Sequence, residues 1–203
     1  RYPVGIQTFS EIIEDGYVYV DKTEIIYNMI DKYKFVFFSR PRRFGKSLLV
    51  STMKEYFSGN RELFKGLKID SLETKWEKYP VFVFNMSRCK KDDIAELKSE
   101  LGSMLASYEE LYGRNPVEET ITARFTGLIE RAHQKTGKKV VILIDEYDAP
   151  LLNVLYESNM EQIRRTMRSF YSPIKDCDEH IHFAFMTGIT KFSQLSIFSE
   201  LNN

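Results

Sequence analysis

The chain has 203 residues, of which 43% are hydrophobic, and its 29 lysines and arginines balance 29 aspartates and glutamates. This composition excludes disordered, collagen-like and coiled-coil proteins, and the absence of net charge excludes a generally basic nucleic-acid binder. A chain of this length can bury a hydrophobic core without disulfide bonds.

The amino-terminal stretch, residues 1–33, precedes the strongly hydrophobic part of the chain. Residues 16–20 are rich in valine and tyrosine and predict a short strand, and residues 21–24 predict the start of a helix. We interpret this stretch as a lead-in to a core of residues 34–203, so that the whole chain forms one domain.

The core is predicted to be an α/β sheet. Four short apolar runs are rich in β-branched and aromatic residues and hardly alternate, which is typical of parallel strands covered on both faces. Apolar residues between the runs recur at helical spacing. This alternation predicts a doubly wound, mostly parallel sheet with helices on both faces and ligands at the carboxyl ends of its strands. The predicted strands are 35–38, 81–84, 140–144 and 183–186, and the predicted helices include 49–57, 94–111, 121–132 and 163–174.

The first predicted strand leads into Gly45-Lys46-Ser47, the end of a phosphate-binding loop pattern, and a helix follows at once. In such a loop the glycine lets the backbone approach phosphate oxygens, and the amides at the helix start bind them. The lysine reaches the terminal phosphates, and the serine hydroxyl ligates Mg²⁺. The alternative is an ordinary helix start with a solvated lysine. On the first interpretation, the nucleotide-binding residues are Arg42, Arg43, Phe44, Gly45, Lys46, Ser47 and Leu48.

One position departs from the general pattern of such loops. The pattern places a glycine five residues before Gly45, where this chain has Arg40. Because Arg40 precedes Pro41, its backbone is pushed toward an extended conformation. The start of this loop must therefore differ from the general form.

The third predicted strand ends in an acidic cluster that contains Asp145, Glu146 and Asp148. A carboxylate at the tip of a buried strand can hold Mg²⁺, and the next one can orient and polarise an attacking water. We predict these two roles for Asp145 and Glu146, respectively. The alternative is that the acids are solvated and that Asp148 opens the turn at Pro150.

The fourth predicted strand ends at Thr187, immediately before Gly188. If this strand lies between the first and the third, the Thr187 hydroxyl would lie beside the phosphates and could sense the γ-phosphate or the attacking water. An equally good interpretation is a strand-ending threonine before a glycine turn.

Together, these motifs resemble the AAA-ATPase-like family of predicted bacterial and archaeal ATPases. This family belongs to the P-loop ATPases that have an extra strand between the two Walker strands. The resemblance covers nearly the whole chain. Its marks are Gly5-Ile6-Gln7-Thr8-Phe9, Tyr19-Val20-Asp21-Lys22-Thr23, Ser39-Arg40-Pro41-Arg42-Arg43-Phe44-Gly45-Lys46-Ser47, Leu143-Ile144-Asp145-Glu146-Tyr147-Asp148 and Thr187-Gly188-Ile189-Thr190-Lys191-Phe192-Ser193.

The resemblance implies a P-loop NTPase with an AAA-like core that binds ATP and Mg²⁺. Lys46 and Ser47 would be Walker A residues, and Asp145 and Glu146 would be Walker B residues, while the family's own loop carries the arginine found here at position 40. Segment 19–23 would either flank the adenine or cap the loop, and a structural helix cap is an equally good interpretation.

The resemblance also concerns the length of the protein. The chain begins with arginine rather than methionine and ends without a helix stop or charged tail, which indicates a fragment. Longer family members continue further, often into a nuclease-like domain of the PD-(D/E)XK type. A fifth core strand and any second sensor would then lie beyond residue 203.

Three functions remain open at this point. The first is ATP hydrolysis coupled to a conformational change in a partner, a downstream domain or a homo-oligomer. The second is an ATP-dependent switch with little turnover. The third is nucleic-acid binding by the loop cations, although these already have a nucleotide phosphate to hold. No arginine finger can be assigned, because the candidates lie on one predicted helix face that we interpret as solvated, namely Arg164, Arg165 and Arg168.

For the remaining cysteine and histidine candidates, the sequence predicts packing rather than chemistry. Cys89 and Cys177 have no metal-ligand spacing, and such cysteine usage suits a reducing compartment, so we expect a cytoplasmic protein. His180 and His182 alternate on one predicted strand face and could chelate a metal, but no third ligand is evident. The longest apolar runs are too short to span a membrane.

Overall fold

A computed structural model of the protein describes residues 1–190. Its strands are β1 (Phe35–Ser39), β2 (Val81–Asn85), β3 (Val140–Asp145) and β4 (Ile181–Gly188). Its helices are α1 (Phe9–Glu14), α2 (Thr23–Lys32), α3 (Lys46–Phe57), α4 (Lys68–Leu72), α5 (Ile94–Tyr112), α6 (Ile121–Thr136), α7 (Ala149–Leu152) and α8 (Met160–Asp176). Short 3₁₀ turns cover Arg61–Phe64, Met86–Cys89 and Asp178–His180.

Within the described part of the chain, the strands form a parallel sheet in the order β1-β4-β3-β2. Each predicted apolar run is one of these strands, and α3, α5, α6 and α8 are the predicted helices, so the predicted α/β fold is confirmed. β4 lies between β1 and β3, the two strands that the predicted Walker motifs follow. Because the strands are parallel, the loops that follow β1, β3 and β4 meet at one edge of the sheet.

Both faces of the sheet are covered, which explains why its strands are apolar without alternation. Val141 and Leu143 of β3 share a buried cluster with residues of α2 and α3. Ile142 and Ile144 belong to a second cluster on the opposite face, together with residues of α5, α6 and α8. Every residue of β3 is consequently buried. The central strand therefore places its carboxyl end at a fixed point inside the protein.

The predicted strand at residues 16–20 is wrong. This segment is an irregular connection outside the sheet. Tyr19 packs its ring against Phe9 of α1 with the centroids 5.1 Å apart, while Val18 and Val20 are exposed. The valine and tyrosine pattern therefore reflects one aromatic contact with α1 and not strand pairing. The sequence pattern did not predict α1.

Segment 19–23 holds two helix starts together through Asp21. α2 begins at Thr23, as predicted. Asp21 Oδ1 accepts hydrogen bonds from the Thr23 amide (2.9 Å) and hydroxyl (2.6 Å). Its Oδ2 accepts a hydrogen bond from the Lys68 amide (2.8 Å) at the start of α4. These contacts favour the helix-capping interpretation of the segment over contact with adenine.

Both cysteines are free and buried in the core. Burial raises the pKa of the Cys89 thiol to about 12, so this side chain stays protonated near neutral pH and acts as a packing residue. Among residues 1–190, no helix is long and apolar enough to cross a membrane.

The two candidate histidines do not share a strand face. His180 belongs to a 3₁₀ turn and contacts His133 through the Nδ1 atoms (2.9 Å), whereas His182 stacks on the Tyr79 ring. Within the described residues, no group of three His, Cys, Asp or Glu side chains is arranged to hold a metal ion.

Candidate functional site

A cleft of about 920 Å³ lies at the carboxyl edge of the sheet, within the usual size range of small-molecule sites. Its lining comes from five parts of the chain. They are residues 4–7, the loop and helix start at 42–48, Lys90 after β2, residues 146–153 after β3, and Ile189 after β4. The loops that carry the predicted nucleotide motifs therefore converge on one cleft.

The start of α3 lies directly at this cleft. Gly45 precedes the helix in the left-handed conformation (φ 72°, ψ 19°), and no side chain caps the helix. The first amides of an α-helix have no acceptor within the helix, and they carry the positive end of the helix dipole. Together with the loop, this uncapped helix start can bind phosphate oxygens.

The Lys46 side chain folds back over the loop. It is 7% exposed, and its Nζ donates hydrogen bonds to the carbonyl oxygens of Arg40 (3.0 Å) and Pro41 (2.8 Å). Arg40 does not need the backbone freedom of the glycine that it replaces, because the positive φ values of the loop occur at Arg43 (66°) and Gly45. The Arg40 amide instead donates to the carbonyl oxygen of Gly188 (3.2 Å).

The other loop residues that we predicted to bind nucleotide fall into two groups. Arg42, Arg43, Ser47 and Leu48 line the cleft. Phe44 does not line it, and this residue is 64% exposed. Any contribution of Phe44 to the site would therefore come from its backbone.

Asp145 ends β3 beside the start of α3, and it is 4% exposed. Its Oδ1 atom is buried without a hydrogen-bond partner. Burial raises the pKa of this carboxyl, as does the nearby Glu146, whereas the neighbouring Ser47 hydroxyl and Lys46 ammonium work in the opposite direction. The Asp145 carboxylate has a buried oxygen without a hydrogen-bond donor, and it lies next to the Ser47 hydroxyl. These two oxygen groups are suitable ligands for Mg²⁺.

Glu146 follows in the left-handed conformation (φ 55°), which is uncommon for residues other than glycine and is concentrated at functional sites. This conformation turns the chain sharply after β3. The Glu146 side chain lines the cleft, is 40% exposed, and approaches Lys90 Nζ with its Oε2 at 3.9 Å. Solvent therefore reaches this carboxylate, unlike that of Asp145.

Asp148 is buried and not solvated, which corrects one part of the alternative interpretation, although it does occupy the N-cap position of α7, the helix that contains Pro150. It is 1% exposed, and its side chain makes no capping hydrogen bond to α7. Its Oδ2 instead accepts hydrogen bonds from the amides of Ile189 (2.9 Å) and Thr190 (2.7 Å) and from the Thr190 hydroxyl (2.7 Å). Asp148 thus joins the loop after β3 to the turn after β4.

Thr187 lies on the strand between β1 and β3, as the sensor interpretation requires. Its side chain is fully buried, its Oγ1 has no hydrogen-bond partner, and it does not line the cleft. In the sheet it follows the pair Ile144 and Met186 and is therefore next to Asp145. Its predicted sensor role stays a prediction. Three further residues of this motif, Lys191, Phe192 and Ser193, lie outside the described part of the chain.

Sequence reasoning missed three parts of the cleft. Residues 4–7 line it, and only the resemblance of residues 5–9 to the family signalled them. The cleft is also lined by Lys90, Leu152 and Asn153, but these residues belong to no recognised motif. None of the three α8 arginines lines the cleft.

The comparisons with known proteins agree with the motifs. A family model described as a predicted AAA-ATPase matches residues 3–198. A curated relative from Azotobacter chroococcum mcd 1, described as "Uncharacterized protein in vnfD 5'region", is 40% identical over 205 residues. The match covers 100% of this chain and 40% of the relative, so the chain spans less than half of that protein's length. No solved structure matches the chain.

Proposed function

The chain belongs to the family of predicted AAA-ATPases, and from this premise we propose that its cleft binds ATP with Mg²⁺ and hydrolyses the terminal phosphate. One observation carries the proposal. The uncapped start of α3 with Lys46 and the carboxylate of Glu146 line the same cleft, although they lie about 100 residues apart in the sequence.

The phosphate groups would bind at the start of α3. The loop amides and the first amides of the helix would donate hydrogen bonds to the phosphate oxygens. Lys46 would exchange its two carbonyl acceptors for phosphate oxygens and stabilise the charge on the transferred phosphoryl group. Arg42 and Arg43 line the same side of the cleft and would add positive charge.

The metal would be held by Ser47 and Asp145. The fit rests on the buried, unpartnered Oδ1 of Asp145 and on the hard oxygen ligands that these two side chains supply. When bound, Mg²⁺ would neutralise charge on the phosphate oxygens. Glu146, which is open to solvent, would orient and polarise the attacking water.

The nucleoside would bind on the remaining walls of the cleft. Residues 4–7 and the pair Leu152 and Asn153 line it, and they provide backbone polar groups, apolar side chains and an amide. Such a combination is typical of sites that bind a planar base. We assign the nucleoside to these walls because the phosphate-binding elements occupy the loop side.

An ATP-dependent switch with little turnover is the second candidate. The contact between Lys90 Nζ and Glu146 Oε2 (3.9 Å) favours it, because a carboxylate that is paired with a lysine must leave that partner before it orients a water. Nucleic-acid binding by the loop cations is the weaker candidate, because Lys46 is buried and only Arg40, Arg42 and Arg43 are exposed. In either function, we propose that nucleotide binding changes the conformation of a downstream domain or of a partner, including a second copy of the chain.

Replacing Lys46 by alanine should weaken binding of Mg-ATP about 10- to 100-fold, because one charge-assisted contact to phosphate is lost. Isothermal titration of both proteins measures this difference. Lys54→Ala is the matched control, since Lys54 is on the same helix but does not line the cleft. Equal ATP affinity of wild type and Lys46→Ala would refute the proposed site.

A further inference from the structure

We infer that Asp148 is a positioning residue that aligns the two halves of the ATP site, an inference that rests on the proposed function. Its Oδ2 atom receives all three hydrogen bonds from residues 189 and 190. Because only 1% of the Asp148 surface is exposed, water cannot replace these hydrogen bonds. The position of the turn after β4 is therefore set by a side chain of the loop after β3.

The same turn also holds the start of the phosphate-binding loop. The Gly188 carbonyl oxygen accepts a hydrogen bond from the Arg40 amide (3.2 Å), and the Ile189 carbonyl oxygen accepts one from the Ser39 hydroxyl (3.3 Å). The Arg40 carbonyl oxygen in turn accepts from Lys46 Nζ (3.0 Å). A continuous series of contacts thus runs from the Asp148 carboxylate to the Lys46 ammonium.

Tyr147 closes this arrangement from the other side. Its amide donates to the Thr187 carbonyl oxygen (2.9 Å), and its hydroxyl donates to the Thr190 carbonyl oxygen (2.9 Å). Gly188 has no room for a side chain, because a Cβ atom there would lie 2.5 Å from Tyr147 Cε1 and 2.7 Å from Asp148 Oδ1. Residues 147 and 148 are therefore clamped directly after Glu146.

This arrangement matters for catalysis because hydrolysis needs both halves of the site at once. The proposed water-orienting group is Glu146, and the proposed phosphate ligand is Lys46. Misplacing reacting groups by about 1 Å can cost about 100-fold in rate. The proposed contacts to ADP, by contrast, come from the loop, the start of α3 and the nucleoside walls of the cleft, and they do not require Glu146 to be in place. Loss of Asp148 should therefore affect turnover far more than binding.

We expect Asp148→Ala to lower kcat about 100-fold while the Kd for ADP changes by less than about threefold. Asp148→Asn keeps a side-chain oxygen that accepts hydrogen bonds and should recover at least about tenfold of the lost kcat. Asp93→Ala is the control for a general loss of stability. Asp93 caps α5 by accepting from the Glu96 amide (2.9 Å), and its replacement should leave kcat unchanged.

A second measurement does not depend on turnover. Amide hydrogen exchange at Ile189, Thr190 and Arg40 should be at least about tenfold faster in Asp148→Ala, whereas amides of β3 should be unaffected. If the alanine variant does not fold, Asp148→Asn is used for both measurements and should show the same effects at reduced size.

The two measurements separate this inference from the proposed function. Unchanged exchange at Arg40, or an ADP affinity that falls as much as kcat, would overturn the positioning role. A wild-type protein that binds no ATP would refute the proposed function, and the exchange at Arg40 would still decide whether Asp148 links the two halves.

Discussion

Glu146→Gln is expected to lower kcat for ATP hydrolysis by about 10²- to 10⁴-fold while ATP affinity changes by less than about threefold. Glutamine has the same shape, but its neutral amide cannot take a proton from water or polarise it as a carboxylate does. The native side chain is suited to this role because it lines the cleft and is open to solvent. Single-turnover hydrolysis of Mg-ATP, combined with a nucleotide titration, measures both quantities.

Glu157→Gln is the matched control, because Glu157 is an exposed glutamate that does not line the cleft. It should hydrolyse ATP at the wild-type rate. If turnover of the wild type is so slow that Glu146→Gln changes nothing, the protein is a switch rather than a hydrolase. If ATP affinity falls together with kcat, Glu146 contributes to binding and is not the water-orienting group.

The second large effect concerns stability. Arg124→Met should lower the free energy of unfolding by about 3–5 kcal/mol, because it leaves the buried Glu109 carboxylate without its counter-ion. Arg124 of α6 donates to both Glu109 oxygens of α5 (2.8 and 2.7 Å) and to the Gly102 carbonyl oxygen (2.9 Å). The two side chains are only 10% and 5% exposed. Urea unfolding monitored by circular dichroism measures the change.

Two controls accompany this stability measurement. Arg165→Met removes an exposed pair with Glu161 and should cost less than about 1 kcal/mol. A double variant, Arg124→Met with Glu109→Gln, should regain part of the loss because no charge stays buried. A loss as small as that of Arg165→Met would contradict the buried ion pair.

The pH dependence of this loss provides a further check. Hydrogen bonding to the Arg124 guanidinium lowers the pKa of Glu109, although burial opposes the effect. A lowered folded-state pKa stabilises the protein above the unfolded value of about 4.3, and this stabilisation is lost as the pH falls through the folded-state pKa. The difference between wild type and Arg124→Met should therefore be largest near neutral pH and shrink in acid.

The fold could be predicted because its strands are covered on both faces. Such burial demands apolar residues at every position, as in β3, and it leaves a local pattern that needs no knowledge of neighbours. The N-terminal segment 16–20 has a similar composition but no strand partner, so the same reasoning failed there. Strand-like composition does not report whether a partner strand is in reach.

The candidate site also contains some residues that the sequence predicts and others that it does not. Residues 45–47 and the pair Asp145 and Glu146 carry a sequence signal, because the chemistry that we propose for each group needs only a few consecutive residues. Lys90 carries no such signal, since a lysine after a strand is usually solvated. Its place in the cleft follows from where β2 ends relative to β3, which composition does not reveal.

Asp148 shows most clearly how a residue's role in the folded protein can differ from what the sequence indicates. In the sequence it is one acid among several, and the expected alternative was a solvated turn residue. In the folded protein it is buried, and it accepts hydrogen bonds from Ile189 and Thr190, which lie 41 and 42 positions further along the chain.

The sequence by itself determined the α/β class, the positions of the strands, and the placement of the predicted phosphate-binding loop and the acidic cluster at strand ends, because burial and the chemistry expected of these motifs act on neighbouring residues. The tertiary structure alone decided the strand order, the convergence of the loops on one cleft and the link from Asp148 to Lys46. These features depend on contacts between residues far apart in the chain, and such contacts leave no periodic or local pattern in a single sequence.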